Sequence, residues 1–229
     1  MKLAIMQPYL FPYLGYFQLI NAVDIFVIYD DVNYIKNGWI NRNNILANGK
    51  KLLLTLNLKN ASSFKLINQV EVGNNKKKFL KSIEFSYARA PHFNNIFPLI
   101  EEIINYGASN LAVFVSNSIK AITSCLDIKT KLLISSSIEK DNSLKAQEKV
   151  IDICRRLGAH FYINAIGGVG LYSAEIFRDS GIKLQFLKTK DMKYKQFNQD
   201  FVPSLSIIDI LMFNPKERVK EMLNEYELI

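Results

Sequence analysis

Apolar residues along this chain alternate between short unbroken runs and longer stretches with helical spacing. Residues 3–6 and 25–29 are continuous, β-rich apolar runs, as strands buried on both faces require. Between them, residues 15–22 carry Phe17, Leu19 and Ile20 at roughly helical spacing. The chain therefore opens as strand, loop, short helix and strand. Residues 52–56 and 69–72 predict further strands, the second ended by Gly73-Asn74-Asn75. Residues 76–89 put Phe79, Leu80, Ile83 and Tyr87 on one helical face and stop before Pro91. Helix continues over 96–106 and 108–126, broken at Gly107.

The C-terminal half is punctuated more sharply. Residues 131–134 predict a strand followed by a triple-serine loop. Ser143 then reads as an N-cap, Val150, Ile151, Cys154 and Leu157 form an apolar stripe, and Gly158 fits the helix C′ position. A strand over 160–164, a helix capped by Ser173 and ending at Gly181, and a strand over 182–187 follow. Ser204 or Ser206 opens a last helix. Strands alternating with helices predict an α/β fold: a Rossmann-like parallel sheet flanked by helices, with a mainly helical middle segment over roughly 76–126. At 229 residues the chain reads as one domain, 1–229.

Composition narrows the class. With 49% hydrophobic and 22% charged residues the chain is an ordinary globular protein, and its apolar runs are far shorter than a bilayer span. Gln7, Pro8 and Pro12 interrupt the first apolar stretch, so it does not read as a leader, and a cytoplasmic protein is expected. Cys125 and Cys154 fall on apolar helical faces and read as buried free thiols. No Cys-X-X-Cys or histidine cluster predicts a metal site, and His92 and His160 suggest no triad. The net charge of +8 points to an anionic ligand or surface, such as a nucleotide, a carrier protein's prosthetic arm or an acidic membrane. Lysines cluster at 76, 77, 78 and 81, and again at 183, 188, 190, 193 and 195. No nucleic-acid recognition motif accompanies them.

Candidate chemistry concentrates in residues 6–43. Pro8 and Pro12 forbid a helix over 7–13, so an irregular, aromatic-lined loop carrying Gln7, Tyr9, Tyr13 and Tyr16 follows the first strand. Asp30 and Asp31 follow the second, suited to hold an amine or hydroxyl, to act as a general base, to bind a divalent cation through oxygen, or to cap a turn. Adjacent side chains on extended backbone point oppositely, so one of the two faces a ligand. Lys36, Trp39, Asn41, Arg42 and Asn43 supply a stacking ring, amides and a guanidinium fork for a polar or anionic ligand. A structural ion pair of Arg42 with Asp30 or Asp31 is the alternative. Asn164 to Gly170 follow a later strand, and Gly168 could turn backbone amides toward a phosphate or simply serve a tight turn. Ligands bind beyond the carboxyl ends of parallel strands, so these three loops are expected to converge. Asp209 stands on an apolar helix and needs a buried partner, Arg42 or a loop amide.

Residues 6–17, Asp24-Ile-Phe-Val-Ile-Tyr-Asp-Asp-Val32, Trp39-Ile-Asn-Arg-Asn43 and Leu205-Ser-Ile-Ile-Asp-Ile-Leu211 together resemble the WbqC-like protein family. The likeness runs nearly end to end, through Tyr87-Ala-Arg-Ala-Pro91 and Gly170-Leu-Tyr172; many relatives have His where this chain has Met6. The resemblance implies a bacterial protein of O-antigen or surface-polysaccharide biosynthesis. It also implies an N-acyl or aminoacyl (glycyl) transferase acting on a nucleotide-linked deoxyamino sugar. No tightly bound cofactor is then expected, and the acyl donor is a thioester on a carrier protein or coenzyme A. In that scheme Asp30 or Asp31 takes the amine's proton and Gln7, Asn41 or amides near Gly168 hold the oxyanion. Arg42 and the Lys188–Lys195 cluster hold phosphate, and Tyr9, Tyr13, Tyr16 and Trp39 stack on the sugar or base. Asn43, Asn164, Tyr172, Lys36 and Asp209 complete the expected substrate site. The opening strand, proline loop, Leu14-Gly15-Tyr16 and helix also resemble the start of HIGH-motif nucleotidyltransferases. Pro12 or Tyr13, and Tyr16, stand where those enzymes have histidines. A non-catalytic nucleotide-sugar or carrier-binding protein is the further alternative.

Overall fold

A computed structural model describes residues 1–197 and 200–229. Strand β1 (Lys2–Met6) leads through the proline loop into helix α1 (Leu14–Asn21) and back into β2 (Ile25–Ile28). A hairpin of β3 (Arg42–Ala47) and β4 (Lys50–Thr55) follows, then the short pair β5 (Leu58–Lys59) and β6 (Glu71–Val72). Helices α2 (Lys76–Tyr87), α3 (Phe93–Asn105) and α4 (Leu111–Cys125) form the helical middle segment. The chain then alternates: β7 (Lys131–Ile134), α5 (Ala146–Arg156), β8 (Phe161–Ala165), α6 (Ala174–Asp179) and β9 (Lys183–Thr189). It closes with α7 (Ile207–Phe213), α8 (Lys216–Met222) and β10 (Tyr226–Leu228).

The central sheet has the order β10-β9-β8-β1-β2-β7, parallel throughout except for β10, which lies antiparallel to β9. Leu3 pairs with Ile25 on one side of β1 and with Tyr162 on the other. Side chains alternate across the sheet. Ala4, Phe26, Ile163 and Leu187 enter the larger core with α1, the middle helices, α7 and α8. Leu3, Ile5, Val27 and Tyr162 face the other way, onto Val150, Ile153 and Cys154 of α5 and Phe177 of α6. Burial on both faces is why these strands read as unbroken apolar runs. Each such fully buried side chain contributes about 1.5–3 kcal/mol relative to an exposed one.

From β1 the chain steps to β2 and β7 on one side, then returns to β8 and β9 on the other. The strand order thus reverses between β1 and β8, the position at which open α/β sheets bind ligands beyond the strands' carboxyl ends.

Several local expectations need correction. Ser143 is not the cap of α5: the helix starts at Ala146, and Ser143 instead donates its N–H and hydroxyl to Asp141 at 2.8 and 2.6 Å. Ser173 and Ser206 do cap α6 and α7. The strand expected over 69–72 shrinks to Glu71–Val72 because Ile67–Gln69 winds into a 3-10 turn. Strand β3 occupies residues read as ligand chemistry. Its turn is the positive-φ pair Asn48 (φ 48°) and Gly49 (φ 74°), which suits the right-handed twist of a two-residue hairpin.

Candidate functional site

The loops after β1, β2 and β8 leave the same end of the sheet, since the three strands are parallel neighbours. The β1 loop is built by its prolines and by one strained residue. Phe11 has φ 44°, a left-handed conformation costly for an aromatic residue, and it is held there from two directions. Its carbonyl accepts the Ser206 hydroxyl at 2.7 Å and the Asn43 amide at 2.8 Å, while its buried ring stacks on Phe79. The Leu10 N–H to Ile40 carbonyl bond, 3.1 Å, lays the loop along residues 39–43. The outcome is a cleft of about 250 Å³ lined by Tyr9, Pro12, Tyr13, Trp39, Asn43 and Ser204. Tyr13 is 41% and Trp39 45% exposed, so large aromatic faces border it.

Other residues of this group are structural. Tyr16 is completely buried and donates its hydroxyl to the Gln7 carbonyl at 2.9 Å, so it is a core ring and does not stack on a ligand. Asn41 is buried, accepting from the Tyr34 hydroxyl at 2.9 Å and donating to the Leu56 carbonyl at 2.7 Å. Arg42 pairs with neither Asp30 nor Asp31; its guanidinium donates to the Gly38 carbonyl at 2.9 Å and to the Asn37 carbonyl, pinning its own loop. Lys36 is exposed. Gln7 is half-buried, and among the described residues its side-chain amide makes no hydrogen bond.

Asp30 and Asp31 meet different partners. Asp30, 3% exposed, accepts the Ser136 N–H at 2.9 Å, the Ser136 hydroxyl at 2.6 Å and the Asn68 amide at 3.3 Å. It borders a cavity of about 370 Å³ against α4. Asp31 pairs with Lys140 at 2.8 Å and Lys149 at 3.6 Å. Burial raises the Asp31 pKa, but the Lys140 ammonium, the Ser135 hydroxyl and the Lys149 charge outweigh it, and the carboxyl stays below the ordinary Asp range. Lys140 is itself almost wholly buried and also donates to the Ser135 carbonyl. Neither lysine was singled out in the sequence; no local spacing connects them to Asp31.

Beyond β8, Asn164 donates to the Tyr162 hydroxyl at 3.0 Å and caps the Ala165 N–H at 2.7 Å. The Tyr162 and Tyr172 hydroxyls lie 3.2 Å apart. Gly168 sits within a 3-10 turn over Ile166–Leu171, where a Cβ would come within 3.2 Å of the Asn164 side chain. Its glycine is therefore a matter of close approach. The Tyr29 ring connects this corner to the Asp31 pair: Lys149 Nζ stands 5.7 Å above it. Its hydroxyl pKa is raised by burial first, then by Asp31 and Tyr172.

Asp209 has the buried partners expected of it, but Arg42 is not among them. Its carboxylate accepts the Tyr87 hydroxyl at 2.9 Å, the Tyr194 hydroxyl at 2.6 Å and the Gln196 amide at 2.7 Å. Of the two lysine clusters, Lys78 and Lys81 line an open groove with Arg89 and Phe85, Lys188 pairs with Glu227 at 3.1 Å, and Lys190 lines a cavity with Tyr13 and Ser204. Both cysteines are free thiols, Cys154 buried and Cys125 half-buried. Among the described residues no cluster of three or more metal-ligating side chains occurs, and no helix is long and apolar enough to cross a membrane.

An open, mostly parallel sheet with an aromatic, polar loop edge at its strand-order reversal defines an α/β protein, and comparison gives it a family. The chain belongs to the WbqC-like protein family, whose model matches residues 7–221. It is 29% identical over 215 residues to the uncharacterized protein Rv1507c of Mycobacterium tuberculosis (strain ATCC 25618 / H37Rv), an alignment covering 92% of each chain. No solved structure matches the chain.

Proposed function

We propose that this protein transfers an acyl or aminoacyl group from a thioester to the amino group of a nucleotide-linked deoxyamino sugar. The observation that carries the reading is the cleft of Tyr9, Pro12, Tyr13, Trp39 and Asn43, where exposed aromatic faces flank a side-chain amide. Sugar rings present apolar C–H faces and polar hydroxyl edges, and aromatic rings beside an amide match both. The WbqC-like resemblance supplies the polysaccharide context.

The chemistry asks little covalent work of the chain. The sugar amine's lone pair forms the C–N bond at the thioester carbonyl, the C–S bond breaks, and the amine's proton leaves with the thiol. The protein must bind the two substrates in line and stabilise the tetrahedral oxyanion. Gln7, with its unengaged amide two residues before Tyr9, is suited to donate to that oxygen. Asp31, held ionised by two lysines, anchors the loop after β7; Asp30, which makes no ion pair among the described residues, is the carboxylate left to meet the amine.

A non-catalytic binding protein is the second reading, favoured by one observation: both carboxylates of the candidate pair already have protein partners. Mass spectrometry after mixing the protein with a nucleotide-linked 4-amino-4,6-dideoxyhexose and glycyl-loaded carrier protein separates the two. A protein-dependent product one glycyl group heavier supports transfer. Tight sugar-nucleotide binding with no product across acyl and aminoacyl donors supports the binder.

A further inference from the structure

Buried carboxylates are costly unless paired or coordinated. Asp31 meets that requirement with two lysines. Its neighbour does not: Asp30 is 3% exposed, yet among the described residues it takes part in no ion pair. Its three donors are a backbone amide, a hydroxyl and a carboxamide, all neutral. The carboxylate borders the cavity of about 370 Å³ enclosed by α4 and the loops after β2 and β7.

A second, independent anomaly lies in the same cavity. Ser116 of α4 is 4% exposed, and its hydroxyl oxygen has no hydrogen-bond partner. Helical hydroxyls usually satisfy themselves on the carbonyl one turn earlier; Ser116 does not, nor do Ser118 and Thr123 of the same helix, and of these three only Ser116 lines this cavity. Asn117 and Asn68 add carboxamides to the wall, and Lys120 stands exposed at the rim. An uncompensated carboxylate and an orphaned hydroxyl lining one cavity are complementary to a group that carries positive charge and several N–H donors.

We infer that the Asp30 cavity binds a primary ammonium group, with Asp30 as counter-ion and the Ser116 hydroxyl as a further acceptor. In the transfer reading, on which this inference rests for the identity of its ligand, two substrates offer that chemistry: the amino sugar and the aminoacyl unit of the donor. An ammonium here also explains why two adjacent aspartates are treated so differently, one neutralised by lysines and one left open.

Calorimetric titration of the whole protein tests the site without requiring turnover. The probes are glycinamide, methyl 4-amino-4,6-dideoxyglucoside and the N-acetyl form of each. At least one amine should bind, its N-acetyl form at least about tenfold more weakly, and Asp30→Asn should lose at least about tenfold. Binding of glycinamide assigns the cavity to the donor's aminoacyl unit, and binding of the amino glycoside assigns it to the acceptor sugar. Should Asp30→Asn fail to fold, Ser116→Ala, which removes only the hydroxyl, must weaken the same amine. The inference is overturned if neither amine binds, or if the folded variants bind as wild type does. Amine binding without any transfer would sink the transfer reading and leave this site standing. Transfer indifferent to Asp30 and Ser116 would do the reverse.

Discussion

Tyr194 donates its hydroxyl to the Asp209 carboxylate at 2.6 Å, joining the segment that leaves β9 to the helix α7 that follows it. Tyr87 of α2 and Gln196 complete the same carboxylate's partners, so one buried acid ties three separate segments together. Burial raises the Asp209 pKa, and the bonds from Tyr194, Gln196 and Tyr87 oppose it without prevailing. Replacement by alanine strands three buried donors and should cost about 3 kcal/mol. Asp209→Asn should cost about 2 kcal/mol, because its amide places a donor where the carboxylate accepted from at least one of these groups. The sign of the pH effect is distinctive. A carboxyl that binds its proton more tightly folded than unfolded favours the fold below about 3.8, and this contribution declines as pH rises through the raised folded value. In urea melts across that range, the stability of wild type relative to Asp209→Asn should fall as pH rises.

Asp31 behaves in the opposite sense. Its folded pKa is depressed, so its ion pairs stabilise the protein above the ordinary Asp value of 3.8, and that stability is lost as pH falls through the folded value. Wild type should therefore lose more melting temperature between pH 6 and pH 3 than Asp31→Asn does. At neutral pH, Lys140→Met removes the 2.8 Å partner of a largely buried carboxylate and should cost about 3 kcal/mol by denaturant titration. An unchanged midpoint would show that Lys149 alone suffices.

Trp39 offers a test of the aromatic cleft with little structural penalty. Its ring is 45% exposed, so Trp39→Ala should leave the melting temperature within about 2 °C. Loss of a stacking face should weaken nucleotide-sugar binding about tenfold, or about 1.4 kcal/mol. Tyr16→Phe reverses the pattern. It removes only the buried bond to the Gln7 carbonyl, so it should lower stability by about 1 kcal/mol.

Neither thiol is poised for nucleophilic work. Burial pushes the Cys154 pKa up to about 12, and burial, opposed by Lys216, also raises that of Cys125. Maleimide at pH 7 should modify Cys154 only on the timescale of unfolding, and Cys154→Ser should retain turnover in any transfer assay. Rapid labelling of native Cys154 would contradict its placement between α5 and the sheet.

The central sheet was legible because β1, β2 and β8 are buried on both faces and leave apolar runs in the sequence, and the partly buried β7 and β9 still carry short apolar stretches. Strand β3 was not, because Asn41, Arg42 and Asn43 are polar residues that satisfy backbone carbonyls, a role composition cannot distinguish from ligand binding. The Asn48-Gly49 turn was the signal that could have revealed it. Strand β10, three residues long, is defined by its pairing with β9 and leaves too short a pattern to read. In the candidate site, Tyr9, Tyr13, Trp39 and Asn43 do come together. The lysines on Asp31 and the orphaned hydroxyl of Ser116 lie far along the chain from the aspartates. Tertiary folding alone creates those relationships.

The pairing of β1 with β8 has a consequence for how the protein is born. Residues 2–6 are made long before residues 161–165, so one side of their strand stays bare until then, and the sheet's far edge waits for 226–228. Joining such distant segments makes loop closure the slow step and leaves a sticky apolar strand exposed during synthesis. A nascent chain stalled before β8 should be captured by chaperones, whereas one extended past β10 should be released.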